Sequence, residues 1–146
     1  MGRFILILIS HRGNLNGKSD RENEPLYIVE ALEQGFDVEI DVWWKDNEFW
    51  LGHDEPQYKV KREFLQNRKL WCHSKNIDAF YQMVDDEKIH SFSHDKDEVA
   101  LTTKGYFWSL SKTKMTNRSI CVMPSTTLDL PKGIAGICCD FVSRYK

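Results

Sequence analysis

The chain lacks a strong excess of charge of either sign. Twenty Lys and Arg face 22 Asp and Glu, a formal net charge of −2. Proteins that grip a phosphate backbone carry a marked basic excess, so neither nucleic acid nor an anionic membrane surface is an expected partner. Long apolar runs are missing as well. The run Phe4–Ile9 is followed at once by His11-Arg12-Gly13. That is too short for the core of a secretion signal and far too short for a membrane span. It reads as a buried strand, and the expected compartment is the cytoplasm. Cysteine is sparse and unpatterned. Cys72, Cys121, Cys138 and Cys139 form no CxxC pair, which suits buried thiols in a reducing compartment better than disulfides or a zinc site. There is no internal repeat, low-complexity stretch or linker. The 146 residues are expected to form one domain, residues 1–146, with a single core.

What is present is a series of short apolar runs, rich in β-branched and aromatic residues and ending in polar residues or glycine. Eight candidate strands follow: Phe4–Ile9, Phe36–Trp44, Phe49–Gly52, Leu70–His73, Ile89–Ser93, Tyr106–Leu110, Ser119–Met123 and Ile134–Phe141. Helical signals lie between the early runs. Asn23-Glu24-Pro25 resembles a helix start, with Leu26, Val29, Ala31 and Leu32 as the buried face and Gly35 as the stop. Asn76 caps a second pattern, in which Ile77, Phe80, Tyr81 and Val84 share one face. Residues 60–65 suggest a short third helix. The later connections, Lys112–Arg118 and Ser125–Gly133, are brief and polar. Alternating strands and helices predict a parallel sheet. Eight strands in so few residues predict a compact (β/α)8-type TIM barrel with several helices shortened or missing. Missing helices would uncover apolar barrel surface, so a homo-oligomer that covers it is expected.

Chemistry-bearing residues sit at the ends of these runs. His11-Arg12-Gly13 follows the first strand. A histidine there can move protons near neutral pH, and the Arg can grip a phosphate oxygen with two donors. Glu39 and Asp41 lie two apart on the second strand, hence on one face. Two adjacent carboxylates among Val38, Val42, Trp43 and Trp44 repel each other and are costly to bury. A divalent cation removes both problems. His53-Asp54 follows the third strand and His73-Ser74-Lys75 the fourth.

The ordered set resembles the glycerophosphodiester phosphodiesterase family. The matching stretch reads His11-Arg12-Gly13, Glu22-Asn23, then Gly35-x-Asp37-x-Glu39-x-Asp41, then His53-Asp54; Gly136-Ile137-Cys138-Cys139-Asp140 resembles the family's last strand. The resemblance implies a TIM barrel related to phosphatidylinositol phospholipases. It implies His11 and His53 as the acid–base pair, Glu39 and Asp41 as metal ligands, and Arg12 and Lys75 as phosphate contacts. Where the family carries Glu on the fourth strand, this chain has His73. Imidazole is a poorer ligand for Ca²⁺ or Mg²⁺ and a better one for Mn²⁺ or Zn²⁺.

The expected function is metal-dependent hydrolysis of a small-molecule phosphodiester, a glycerophosphodiester by resemblance, with Mg²⁺ or Ca²⁺ as cofactor and Mn²⁺ as an alternative. Two other readings stand beside it: a lyase that releases a cyclic phosphate, and a catalytically degenerate barrel that binds a phosphorylated ligand or a protein.

Overall fold

The computed structural model describes residues 5–124 and 130–146. In chain order the elements are β1 (Ile7–His11), α1 (Pro25–Glu33), β2 (Asp37–Lys45), β3 (Glu48–Leu51), β4 (Tyr58–Val60), α2 (Arg62–Leu65), β5 (Leu70–Ser74), α3 (Ile77–Val84), β6 (Ser91–Phe92), β7 (Val99–Leu101), β8 (Phe107–Leu110), β9 (Ser119–Val122) and β10 (Gly136–Cys139), followed by a 3-10 turn, Val142–Tyr145. Phe4 of the first expected strand and residues 125–129 of the last expected connection lie outside the described residues.

The ten strands form one mixed sheet, curled into a half-barrel. Seven strands run parallel, in the order β6-β5-β2-β1-β10-β9-β8. The other three are antiparallel additions: β7 on β8, β3 on β2 and β4 on β3. The expected (β/α)8 TIM barrel is therefore not the fold. Only three short α-helices are present among the described residues, and none follows β6. The connections explain this. A parallel crossover with a helix needs a dozen or more residues, and β8 is joined to β9 by residues 111–118 alone. Two strands, β4 and β7, had no signal among the apolar runs.

Packing divides the strand residues between two faces. On the convex face, Val38, Ile40, Val42, Leu70 and Cys72 pack with Ile28 and Ala31 of α1, Leu65 of α2, and Ala79 and Met83 of α3. On the concave face, Ile9, Trp71, Phe92, Trp108, Ile120 and Cys138 close into a second cluster. The curl is strong enough to bring Phe92 and Trp108 to 4.6 Å between ring centroids.

The stripe suggested for α3 is not the buried one, and that suggested for α1 is buried only in part, through Ala31 and Leu32. Ile77, Tyr81 and Val84 of α3 are exposed, while Ala79 and Met83 are fully buried. On α1, Leu26 is exposed and Ile28 is buried. In α1 and α3 a small residue, Ala31 and Ala79, lies against the sheet, which lets a helix approach closely. The cap on α3 forms as read, with the Asn76 side chain accepting from the Ala79 amide. No helix among the described residues is long and apolar enough to cross a membrane.

His90 gives the fold a pH dependence. It is buried, its ring lies 4.2 Å from that of Trp71, and its Nε2 is 2.8 Å from Thr102 Oγ1. Burial, with a smaller contribution from Lys104, lowers its pKa to about 4. An unfolded histidine titrates near ~6.5. Unfolding therefore takes up a proton between these values, and stability rises with pH across that window. The contribution is complete above the unfolded value and is lost toward the folded one. Urea denaturation at pH 7 and pH 5 should show the native chain losing about 2 kcal/mol more than His90→Gln. Parallel losses in the two proteins would remove His90 as the cause.

Candidate functional site

Alternation along β2 decides what the site contains. With Val38, Ile40 and Val42 turned into the helix-covered core, Glu39 and Asp41 must face the concave side. Register supplies their neighbours: His11 of β1 lies opposite Glu39, and His73 of β5 lies opposite Asp41. The concave apolar cluster forms the floor beneath them.

His53 arrives by a different route from the one the strand pattern implied. β2 runs on past the parallel sheet and pairs with β3 through the two-residue turn Asp46-Asn47. Both turn residues have positive φ, 53° and 58°, the conformation that two-residue hairpins favour. The return strand carries the chain back until the Gly52 amide donates to Asp41 O at 3.1 Å. Gly52 has no substitute here, because a Cβ would lie 1.9 Å from Glu55 O. His53 follows, with its Nδ1 3.6 Å from Asp41 Oδ2.

The two carboxylates differ in environment. Burial and then the adjacent Asp41 charge push the Glu39 carboxyl well above its usual range. Burial would raise Asp41 too, but His73 and Arg12 beside it outweigh that and hold it below the usual range. Asn23 clamps Asp41 from two sides, its Nδ2 donating to Oδ2 at 2.9 Å and its Oδ1 accepting from the Asp41 amide at 2.9 Å. Two oxygens remain buried with no hydrogen-bond partner, Glu39 Oε1 and Asp41 Oδ1. Donor atoms of Glu39, Asp41 and His73 all lie within 4.8 Å of one another. Unpartnered carboxylate oxygens beside an imidazole suit a divalent cation, which would satisfy all three.

The histidines are held in distinct ways. His11 Nδ1 lies 2.7 Å from Asp140 Oδ1, and its Nε2 lies 3.9 Å from Glu39 Oε1. Asp140 is kept below the usual carboxylate range: burial opposes this, but hydrogen bonds with His11 and Asn14 prevail. His53 Nδ1 lies 2.7 Å from Arg12 Nη2. Burial and then the Arg12 charge lower its pKa.

Arg12 is the hub between them. Its Nη1 donates to Glu22 Oε1 at 3.0 Å, its Nε lies 3.0 Å from Asp41 Oδ2, and its Nη2 meets His53. The guanidinium is thus already engaged by the chain, where the sequence suggested a hand free for phosphate. Lys75 follows β5, its amide donating to Val42 O at 2.7 Å, and its charge bears on both Glu39 and His53. His94 contributes its backbone carbonyl, which lies 2.9 Å from His73 Nε2, and its ring lies 6.2 Å from that of His73.

The backbone at the site is strained. Arg12 and Asn23 have φ of 62° and 66°, a left-handed conformation that costs a side-chain-bearing residue about 1–3 kcal/mol. Arg12 N donates to Glu39 O at 2.8 Å, and Asn23 N donates to Arg12 O at 3.1 Å. The strain is offset by bonds that lock the loop onto β2. Gly13 belongs to the same turn, at φ 99°, and a Cβ there would strike the Tyr27 ring at 2.4 Å.

One participant escaped sequence reasoning altogether. Asn14 is fully buried, donates to Glu22 Oε2 at 2.8 Å and Asp140 Oδ1 at 2.9 Å, and accepts from the Tyr27 hydroxyl at 2.9 Å. Its one signal was its place directly after His11-Arg12-Gly13. Comparison of the chain with family models, with curated proteins and with solved structures found no match.

Proposed function

We propose that the protein hydrolyses a small phosphodiester with a divalent cation held by Glu39, Asp41 and His73 and two histidines as the proton carriers. The observation that carries this reading is the convergence of His11, His53 and the under-bonded Glu39–Asp41 pair on one concave face. A cation bound there would polarise a phosphoryl oxygen and offset the charge that develops on it. Arg12 donating into Nδ1 of His53 holds that ring neutral with its proton on Nε2, and a substrate phosphate that takes over the Arg12 Nη2–H would free Nδ1 as the base. His53 takes the proton of the attacking water as the new P–O bond forms. His11 gives a proton to the departing alcohol oxygen as the old P–O bond breaks, while Asp140 offsets the positive charge on the imidazole. Lys75 adds a point charge for the phosphate. A cavity of about 310 Å³, lined by Arg12, Glu22, Asn23 and His53 among others, gives a substrate room beside the base.

The test is turnover of bis(p-nitrophenyl) phosphate and a small panel of glycerophosphodiesters with Mg²⁺, Ca²⁺, Mn²⁺ or EDTA. Cation-dependent turnover that disappears in His53→Ala is expected. Phosphorus NMR of the products should show a monoester; a cyclic phosphate would replace the hydrolase reading by the lyase. Well-folded protein without turnover in any of these conditions would leave a binding protein instead.

A further inference from the structure

The centre described above departs from an all-oxygen cation site at one position, and His73 is held there with unusual definition. Asp41 and His73 are direct register partners on β2 and β5. The imidazole stacks on the buried Phe92 ring, with planes 4° apart and centroids at 5.1 Å. Its Nε2 lies 2.9 Å from the His94 carbonyl oxygen. A carbonyl oxygen only accepts, so Nε2 carries the proton of this contact and Nδ1 is the nitrogen left for another partner.

That partner position is crowded with acceptors. His73 Nδ1 lies 3.3 Å from Asp41 Oδ1 and 3.7 Å from Glu39 Oε2. At 3.3 Å, Nδ1 makes no hydrogen bond of good geometry to Asp41 Oδ1, which stays buried and unpartnered. A cation between the three atoms would serve each of them. An imidazole oriented from behind by a carbonyl is the arrangement in which metal-binding histidines are held.

We propose that His73 binds the cation through Nδ1 and that this ligand turns the centre toward borderline transition ions, Mn²⁺ or Zn²⁺, and away from Ca²⁺ and Mg²⁺. The inference rests on the reading of the site as a cation centre and adds the identity of its selectivity residue. Two carboxylates alone would take any hard divalent ion. One nitrogen in the set gains affinity along the transition series and gains nothing for Ca²⁺. Zn²⁺ should accordingly displace Mn²⁺.

Calorimetric titration of metal-stripped protein with Mn²⁺, Ca²⁺ and Mg²⁺ measures the preference, and pulsed electron paramagnetic resonance of the Mn²⁺ complex detects a directly bound nitrogen. Neither depends on turnover. We expect Mn²⁺ to bind at least about tenfold more tightly than Ca²⁺. A nitrogen coupling should be present in the native chain and in His11→Gln and His53→Ala. His73→Glu should keep cation binding, lose the coupling, and shift the Mn²⁺-to-Ca²⁺ ratio at least about tenfold toward Ca²⁺. If that variant does not fold, the native spectrum still decides, with His73→Gln as the control for its source. Mn²⁺ bound without nitrogen coupling, or an unchanged ratio in His73→Glu, overturns the role of His73 and leaves a two-carboxylate centre standing. Absence of any cation binding to the native chain overturns the centre itself.

Discussion

Phosphodiester turnover by His11→Gln is expected to fall by about 10²- to 10⁴-fold, the range lost when a positioned proton carrier is removed. Its fold should be unchanged, because the His11 side chain is partly exposed and lies at a strand end above the apolar floor. Asp140→Asn should give a smaller loss. The hydrogen bond at 2.7 Å would be kept in some form, while the negative charge that supports the imidazole would be gone. The two variants separate chemistry from positioning: His11→Gln should lower kcat, whereas Asp140→Asn should also change the pH profile. The measurement is kcat and KM for bis(p-nitrophenyl) phosphate with the preferred cation across pH. Unchanged turnover in His11→Gln would take that residue out of the reaction and leave His53 as the sole proton carrier.

Phe92→Ala is expected to cost about 3–5 kcal/mol of stability, the range for emptying a buried aromatic site. Phe92 is fully buried, packs against Trp108 across the curl of the sheet, and stacks on His73. It therefore joins two jobs in one ring: it closes the concave floor and orients the imidazole above it. Urea denaturation measures the first effect. The second appears as weaker Mn²⁺ binding at a temperature where the variant is still folded. A loss below about 1 kcal/mol would mean that the two-residue strand β6 collapses into the space, and the stack would then be an incidental contact.

Much of the site was legible in the chain because its signals are local. His11-Arg12-Gly13 follows an apolar run directly. Glu39 and Asp41 share a face by the two-residue period of a strand. Each of the eight apolar runs overlaps a strand of the sheet. The errors arose where geometry beyond one element decides. The Asp46-Asn47 turn carries a hairpin signal in its residue types, yet the strand that follows was read as another parallel unit. The face of α3 was assigned to its most apolar stripe, whereas the sheet selected the stripe that contains Ala79. The contacts that surround Arg12, with Glu22, Asp41 and His53, were likewise invisible in its sequence neighbours.

Composition and short-range pattern were enough to locate eight of the ten strands and to nominate which side chains carry chemistry. Those properties depend on residue type and on the two-residue alternation along a strand, both of which the linear order contains. The curl of the sheet, the hairpin that returns His53 to Asp41, the Asp140–His11 contact across 129 positions, and the unpartnered oxygens between Glu39, Asp41 and His73 were decided only in three dimensions. Each depends on which strands become neighbours and in what register. That choice is made by the packing of the whole core, to which no single segment holds the answer.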